Sequence, residues 1–383
     1  MLEINLIDIH YLNNVNWTGW LVKATAEGPI PNGTTMCGQP KPANTRGREA
    51  MSESETLDKP KIIMPPSPST AMVGHHHITI GVGAPQEDFD FHTKVLGLKC
   101  VKRTLFYDGP LPIYHFYYGN DLGNEGTLIT TFPVAHIGVK ASKGSGQIER
   151  FGLSVPKDSL DYWNRRLHEF GFDVKETNRF GETHLDFVSP HHINMSLVGV
   201  DNDTRAPHSS GPVPAEHMIR GTHNIAVSTR ELEFMEEFMQ VAWGSNRVAD
   251  ESGNVRYDMG QGGSGTYTDF IVEPDRKAGS WIVGEGAVHH MAYNCPDKET
   301  QLKIKFFVEG LGYTDFSDVK DRGYFDSIYV RTPSGALFEA CVSHDPSFLC
   351  DEPLESLGTR LMMSPQIEAN KEEALKIIGI VEG

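Results

Sequence analysis

From residue 76 onward, apolar and polar positions alternate in short runs separated by stretches with helical spacing. "HHITIGV" (76–82), "ERFGLSV" (149–155), "HNIAVST" (223–229) and "HHMAYNC" (289–295) each read as a strand with one apolar face. After each comes a stretch with apolar residues three and four apart: "QEDFDFHTKVLGL", "KDSLDYWNRRLHEFGF", "RELEFMEEFMQVAW" and "KETQLKIKFFVEGLGY". In three of the four, a glycine stands just past the apolar run, where a helix C-cap belongs. Closing strands follow Gly-containing or polar turns, at "EGTLITTF" (125–132), "PHHINMSLV" (190–198), "SGTYTDFIV" (264–272) and "SGALFEACV" (334–342). The pattern predicts an α+β protein of four βαβββ modules, spaced by roughly 65 to 75 residues. One such module cannot bury both faces of its strands, so modules must pair. Pairing gives curved mixed sheets whose concave faces collect side chains from the opening and closing strands.

The repeat register nominates the residues that meet there. At the second position of the opening strands stand His77, Arg150, Asn224 and His290. Equivalent positions of the closing strands hold Thr130, Ser196, Asp269 and Glu339. Modules one and four together supply His77, His290 and Glu339, whereas modules two and three supply no metal set. Two neutral imidazoles and one carboxylate leave coordination positions open, which suits non-haem Fe(II). The same three ligands also suit Mn(II) or catalytic zinc. Within "GHHHITI", His77 is then the ligand. His75 is expected to be exposed and incidental, and His76 alternates to the opposite face. Asp269 is expected to pair with Arg150, His191-His192 to form an exposed turn, and Trp163 to pack in the core.

Composition narrows the classes. The 383 residues carry a net charge of −17, which argues against a nucleic-acid or anionic-membrane partner. Five cysteines without a CxxC motif suit a reducing compartment, and no run of 18 apolar residues exists, so a cytoplasmic location is expected. Residues 1–70, rich in Pro, Thr, Ser and Gly, are expected to form a poorly ordered extension, with Met51 a candidate start. The expected domains are 71–212 and 213–365, two modules each, followed by a tail over 366–383.

"FHTKVLGLKCVKRT" and "YVRTPSGALFEA" resemble the vicinal oxygen chelate superfamily of glyoxalase I, bleomycin-resistance proteins and extradiol dioxygenases. "VKRTLFYDGPLPIYHFYYGN", "EPDRKAGSWIVGEGAVHHMAY" and "IKFFVEGLGYTDFSDVKDRGYF" bring the resemblance closest to the hydroquinone (para-diol) ring-cleaving dioxygenases, over about residues 75–365. The resemblance implies Fe(II) on His77, His290 and Glu339. It also implies His76 and His289 beside the ligands, with Thr79, Arg322 and Tyr329 around the substrate. In this reading His76, His289 or Tyr329 moves protons and Arg322 steadies negative charge. The implied partners are a small aromatic diol and O₂, and a homo-oligomer is compatible with it. Three alternatives stand beside it. One is an extradiol catechol dioxygenase. Another is a glyoxalase-like isomerase or hydrolase, which often carries a glutamate where Thr130 sits. The third is a sequestering binding protein, a class that usually lacks the metal triad.

Overall fold

The computed structural model describes residues 72–106, 112–363, 368 and 371–382. The extension expected over 1–70, with its candidate start at Met51, lies outside the described residues, as do 366, 367, 369 and 370 of the expected tail.

Four modules follow one another in the predicted order. Module one comprises β1 (Gly74–Val82), α1 (Pro85–Asp90), β2 (Lys99–Phe106), β3 (Ile113–Gly119) and β4 (Leu128–Pro133). Module two comprises β5 (Gln147–Pro156), α2 (Leu160–Glu169), β6 (Lys175–Arg179), β7 (Glu182–Val188) and β8 (Asn194–Val200). Module three comprises β9 (Gly221–Thr229), α3 (Glu233–Glu237), β10 (Asn246–Glu251), β11 (Asn254–Asp258) and β12 (Tyr267–Val272). Module four comprises β13 (Ala287–Asn294), α4 (Lys298–Gly310), β14 (Lys320–Asp321), β15 (Phe325–Arg331) and β16 (Leu337–Ser343), and α5 (Lys371–Ile378) comes last. In modules one and three the helix ends in a π turn, closed by Leu96 N–H to Phe91 O (3.0 Å) and Trp243 N–H to Phe238 O (2.8 Å).

Modules pair as the pattern required. One curled eight-stranded sheet runs β14-β15-β16-β13-β1-β4-β3-β2 and joins modules four and one; the other runs β10-β11-β12-β9-β5-β8-β7-β6. Opening strands meet antiparallel at the centre of each sheet, β1 against β13 and β5 against β9. Each opening strand also lies parallel to its own closing strand. The register is the same in all four modules: Thr79 faces Thr130, Gly152 faces Ser196, Ala226 faces Asp269, and Ala292 faces Glu339. The closing residue therefore always stands beside the position two past the ligand position.

Strand alternation sorts the side chains. Ile78, Ile80, Met291, Tyr293, Phe338 and Ala340 enter one large apolar core, while His77, Thr79, His290 and Glu339 take the other face. Helices pack on the apolar side. The Trp243 ring, just past the π turn of module three, meets Tyr293 at 5.5 Å and Phe338 at 5.8 Å, behind module four's strands. Trp163 is fully buried in the core, as expected.

One irregularity recurs. The β1–β13 register skips His76 and His289, and the β5–β9 register skips Glu149 and His223. Each is the residue just before a ligand position. A bulge places an extra residue on one strand and breaks the alternation locally. His76 accordingly does not turn away from the site as strict alternation predicts.

The second sheet's concave face is filled by ion pairs. Arg256 clasps Asp269 with Nε to Oδ1 at 2.7 Å and Nη2 to Oδ2 at 2.9 Å, and reaches Glu182 at 2.6 Å. Asn224 donates to the same Asp269 carboxylate at 2.6 Å. The expected Asp269–Arg150 pair is therefore wrong. Arg256 stands directly opposite Asp269 on the adjacent strand, whereas β9 lies between β12 and the strand that carries Arg150, β5.

Two other expectations fail on contacts with distant modules. His75 is buried, not exposed, because module three covers it: its Nδ1 lies 3.0 Å from Thr222 Oγ1. His191 is buried too, accepting the Gly83 N–H at 3.1 Å, and only His192 faces solvent. Burial, helped by Arg205, depresses His75 to about 3. Burial, helped by Arg179, does the same to His184. Both are neutral in the fold yet take up protons below 6.5 once unfolded, so their contribution is complete above pH 6.5 and is lost as pH falls toward 3. Each such histidine lowers stability by about 1.4 kcal/mol per pH unit in that window. Urea denaturation of the metal-free protein should show a midpoint falling steadily from pH 6.5 to 4.5, less steeply in His75→Gln. A midpoint flat across that range contradicts the assignment.

Candidate metal centre

His77 on β1, His290 on β13 and Glu339 on β16 come from three neighbouring strands at the middle of the first sheet. Their Nε2 atoms lie 3.1 Å apart; Glu339 Oε2 lies 2.8 Å from His290 Nε2 and 3.6 Å from His77 Nε2. All three side chains are buried, Glu339 completely. Three donor atoms each about 2.1 Å from a shared ion would stand about 3.0–3.4 Å apart at octahedral or tetrahedral angles. The observed edges bracket that range.

The carboxyl group supplies the second test of fit. Among the described residues neither Glu339 oxygen has a hydrogen-bond partner, so the short approach to His290 has the distance of a bond without its direction. A buried polar group left without a partner costs about 1–3 kcal/mol. A cation between the three donors removes that cost, so the residues fit a metal.

The bulged histidines complete the set. His76 Nδ1 lies 2.8 Å from His77 Nδ1, and His289 Nδ1 lies 2.7 Å from His290 Nδ1. If His77 and His290 each donate from Nδ1 to the bulged neighbour, each keeps a lone pair on Nε2. His76 then donates from Nε2 to Ser343 Oγ at 2.9 Å, while His289 Nε2 is buried with no partner among the described residues. Burial holds all four imidazoles toward the neutral form, His290 at about 3. Neutral imidazole is the form that binds metal.

The other predicted residues gather around this centre. Thr79 Oγ1 lies 2.8 Å from His290 Nε2 and 2.6 Å from Thr130 Oγ1. Tyr329 stands opposite Glu339 in the β15–β16 register, its ring 5.5 Å from that of His290. Burial, reinforced by Glu339, pushes the Tyr329 hydroxyl up. Arg322 donates from Nε to the Tyr329 hydroxyl at 3.3 Å and lies over the Tyr329 and Phe106 rings.

Sequence reasoning missed His115 and Tyr117. They share one face of β3, hydrogen-bonded to each other at 2.9 Å, and burial followed by the charges of Arg322, His290 and His289 depresses His115. The signal was present in "IYHFYYG": Tyr114, Phe116 and Tyr118 enter the core, which turns His115 and Tyr117 to the concave side.

Two rival donor groups are weaker among the described residues. His76, His77 and Cys341 converge, but burial raises the Cys341 thiol well above its usual value. Of Asp321, Asp326 and His344, the first is exposed, and Asp326 is already paired with Lys298 at 2.5 Å.

The chain is 42% identical to a chlorohydroquinone/hydroquinone 1,2-dioxygenase of Sphingobium indicum over 306 residues, 79% of this chain and 95% of that protein. It belongs to the ring-cleaving dioxygenases. MhqO of Bacillus subtilis, which carries the name of a ring-cleaving dioxygenase, is 34% identical over 79% of this chain and 94% of its own length. Among solved structures, a Bacillus subtilis protein described as a dioxygenase superposes with a TM-score of 0.76 at 33% identity, covering 82% of this chain and 98% of that one. Glyoxalase I of Zea mays superposes with a TM-score of 0.53 at 12% identity, covering 74% of this chain and 96% of that one, a likeness of fold. No protein-family model matches the chain. No helix among the described residues is long and apolar enough to cross a membrane.

For a ring-cleaving dioxygenase, the surroundings of the triad are chemically apt. Phe325 lies 5.1 Å from the His77 ring, and Phe132 lies 6.0 Å from the His289 ring. Aromatic walls of this kind suit a flat ring and exclude water.

Proposed function

We propose that this dioxygenase opens hydroquinones, cleaving between a hydroxyl-bearing carbon and its neighbour with both atoms of O₂ retained in the product. The observation that carries the reading is the convergence of His77, His290 and Glu339, with both buried Glu339 oxygens lacking hydrogen bonds. The hydroquinone dioxygenase name of a relative at 42% identity supports the substrate class. His77, His290 and Glu339 would hold Fe(II), which when bound supplies open positions for the diol and O₂ and lowers the pKa of a bound hydroxyl.

The chain's own groups do the rest. His76 and His289 accept the Nδ1 protons of the ligand histidines and so fix both rings. His289 Nε2, buried and without a partner, is placed to hold or pass a proton. Thr79 and Tyr329 offer hydroxyls beside the ring, and Arg322 polarises the Tyr329 hydroxyl through its 3.3 Å hydrogen bond. Thr130, held by Thr79, offers no carboxylate to complete a glyoxalase-like ligand set.

After anaerobic reconstitution with Fe(II), O₂ uptake should follow addition of unsubstituted, methyl- or chloro-hydroquinone and be much slower with catechol. The reading is lost if an iron-loaded sample consumes no O₂ with any hydroquinone. Preference for catechol would favour the extradiol reading instead.

A further inference from the structure

A cleft opens beside the metal centre, lined by Gln147, Trp281, Val288, His289, Arg331 and Leu337. His289, one of the residues that line it, lies 2.7 Å from His290, Nδ1 to Nδ1. Arg331 follows Tyr329 by two positions on β15, so the two share the concave face. Its guanidinium is stacked 5.0 Å from the Trp281 ring and spends Nη1 on the carbonyl of Gly335 at 2.8 Å. Nε is buried without a hydrogen bond, and neither Nε nor Nη2 has a partner among the described residues.

A half-buried guanidinium with no carboxylate in ion-pair contact is unusual, because desolvated charge is costly unless it is matched. Burial lowers Arg331 only to about 10, with Asp315 opposing the shift, so it is cationic at neutral pH. The free pair, Nε and Nη2, is one edge of the planar fork, the edge that receives a carboxylate through two parallel hydrogen bonds.

We infer that Arg331 and Trp281 form a subsite for a carboxylate carried on an aromatic ring, making Arg331 a specificity-determining residue for hydroquinones with an anionic substituent. The subsite rests on the geometry of the cleft; the identity of the ring rests on the proposed function. Arg331 supplies the charge and the two donors, while the indole face holds the guanidinium plane in position. In a chain of net charge −17, such a cation also gives an anionic ligand a local reason to approach.

Benzoate is the probe. Titration of the full iron-loaded chain, followed by calorimetry and tryptophan emission, should show saturable binding. Trp281→Phe should remove the emission change, and Arg331→Gln should weaken binding by about tenfold or more, the scale of a charged hydrogen-bonded pair. Arg331→Lys, which keeps charge without the fork, should fall between, and it serves in place of Arg331→Gln if that variant does not fold. In turnover, the kcat/KM ratio of carboxyhydroquinone to hydroquinone should drop in Arg331→Gln by a similar factor. The inference is overturned if benzoate does not bind, if it binds the variants as it does the unsubstituted chain, or if the ratio is unmoved. Binding through Arg331 in a protein that cleaves no diol would overturn the proposed function and leave the subsite standing.

Discussion

Replacing Glu339 with glutamine is expected to abolish metal retention and ring cleavage while leaving the metal-free protein at least as stable. The two halves of that result have one cause. Glu339 is completely buried, and neither oxygen has a hydrogen-bond partner among the described residues, so in the metal-free fold the carboxyl group is a cost. Glutamine keeps the shape and can donate toward the Nε2 atoms of His77 and His290, which lie within 2.8–3.6 Å of Glu339 Oε2. Relief of an unpartnered buried group is worth about 1–3 kcal/mol. Metal affinity should fall by more than the 10- to 100-fold that loss of an outer partner costs, roughly a thousandfold, with activity following it. Metal analysis by mass spectrometry and melting with and without chelator check both halves. A Glu339→Gln protein that retains iron, or that melts well below the metal-free parent, contradicts the assignment.

A second large effect is expected away from the metal. Lys102 on β2 is completely buried and holds Asp351 Oδ1 and Glu352 Oε2, each at 2.6 Å, with the Phe348 carbonyl at 3.3 Å. Asp351 is partly exposed, but Glu352 is not, so Lys102→Met leaves a buried carboxylate with only the Arg360 guanidinium at 4.0 Å and the Gly358 N–H at 3.4 Å. Breaking a buried pair from one side costs about 3–5 kcal/mol. The damage should reach the site, because Phe348, carried by the same turn, packs on Tyr117 at 5.2 Å and Tyr324 at 5.0 Å. Lys102→Met should therefore lower the denaturation midpoint and raise KM. Adding Glu352→Met should recover most of the stability, since replacing both partners by apolar groups is often neutral. A double variant no more stable than Lys102→Met would place the effect elsewhere.

Much of the site was legible because the fold repeats. Four equivalent strand positions made His77, His290 and Glu339 a set before any contact was known, and the parallel register of each module carries that equivalence into space. What strand periodicity could not show were departures from it. The bulges at His76 and His289 come from the pairing of β1 with β13, and nothing within either strand announces an extra residue. Contacts between distant modules were equally hidden: Thr222 over His75 lies 147 residues away, and Gly83 against His191 lies 108 away. Arg256 was missed as the partner of Asp269 because it lies on an inner strand of module three that the repeat register had not indexed. His115 and Tyr117 could have been found by asking which polar residues interrupt the apolar face of β3.

The most direct test of the central claim is anomalous diffraction at the iron edge from crystals of anaerobically Fe(II)-loaded protein. A single peak is predicted about 2.0–2.2 Å from His77 Nε2, His290 Nε2 and a Glu339 oxygen. A peak at Asp321, Asp326 and His344, or no peak in a sample that cleaves hydroquinone, would contradict it.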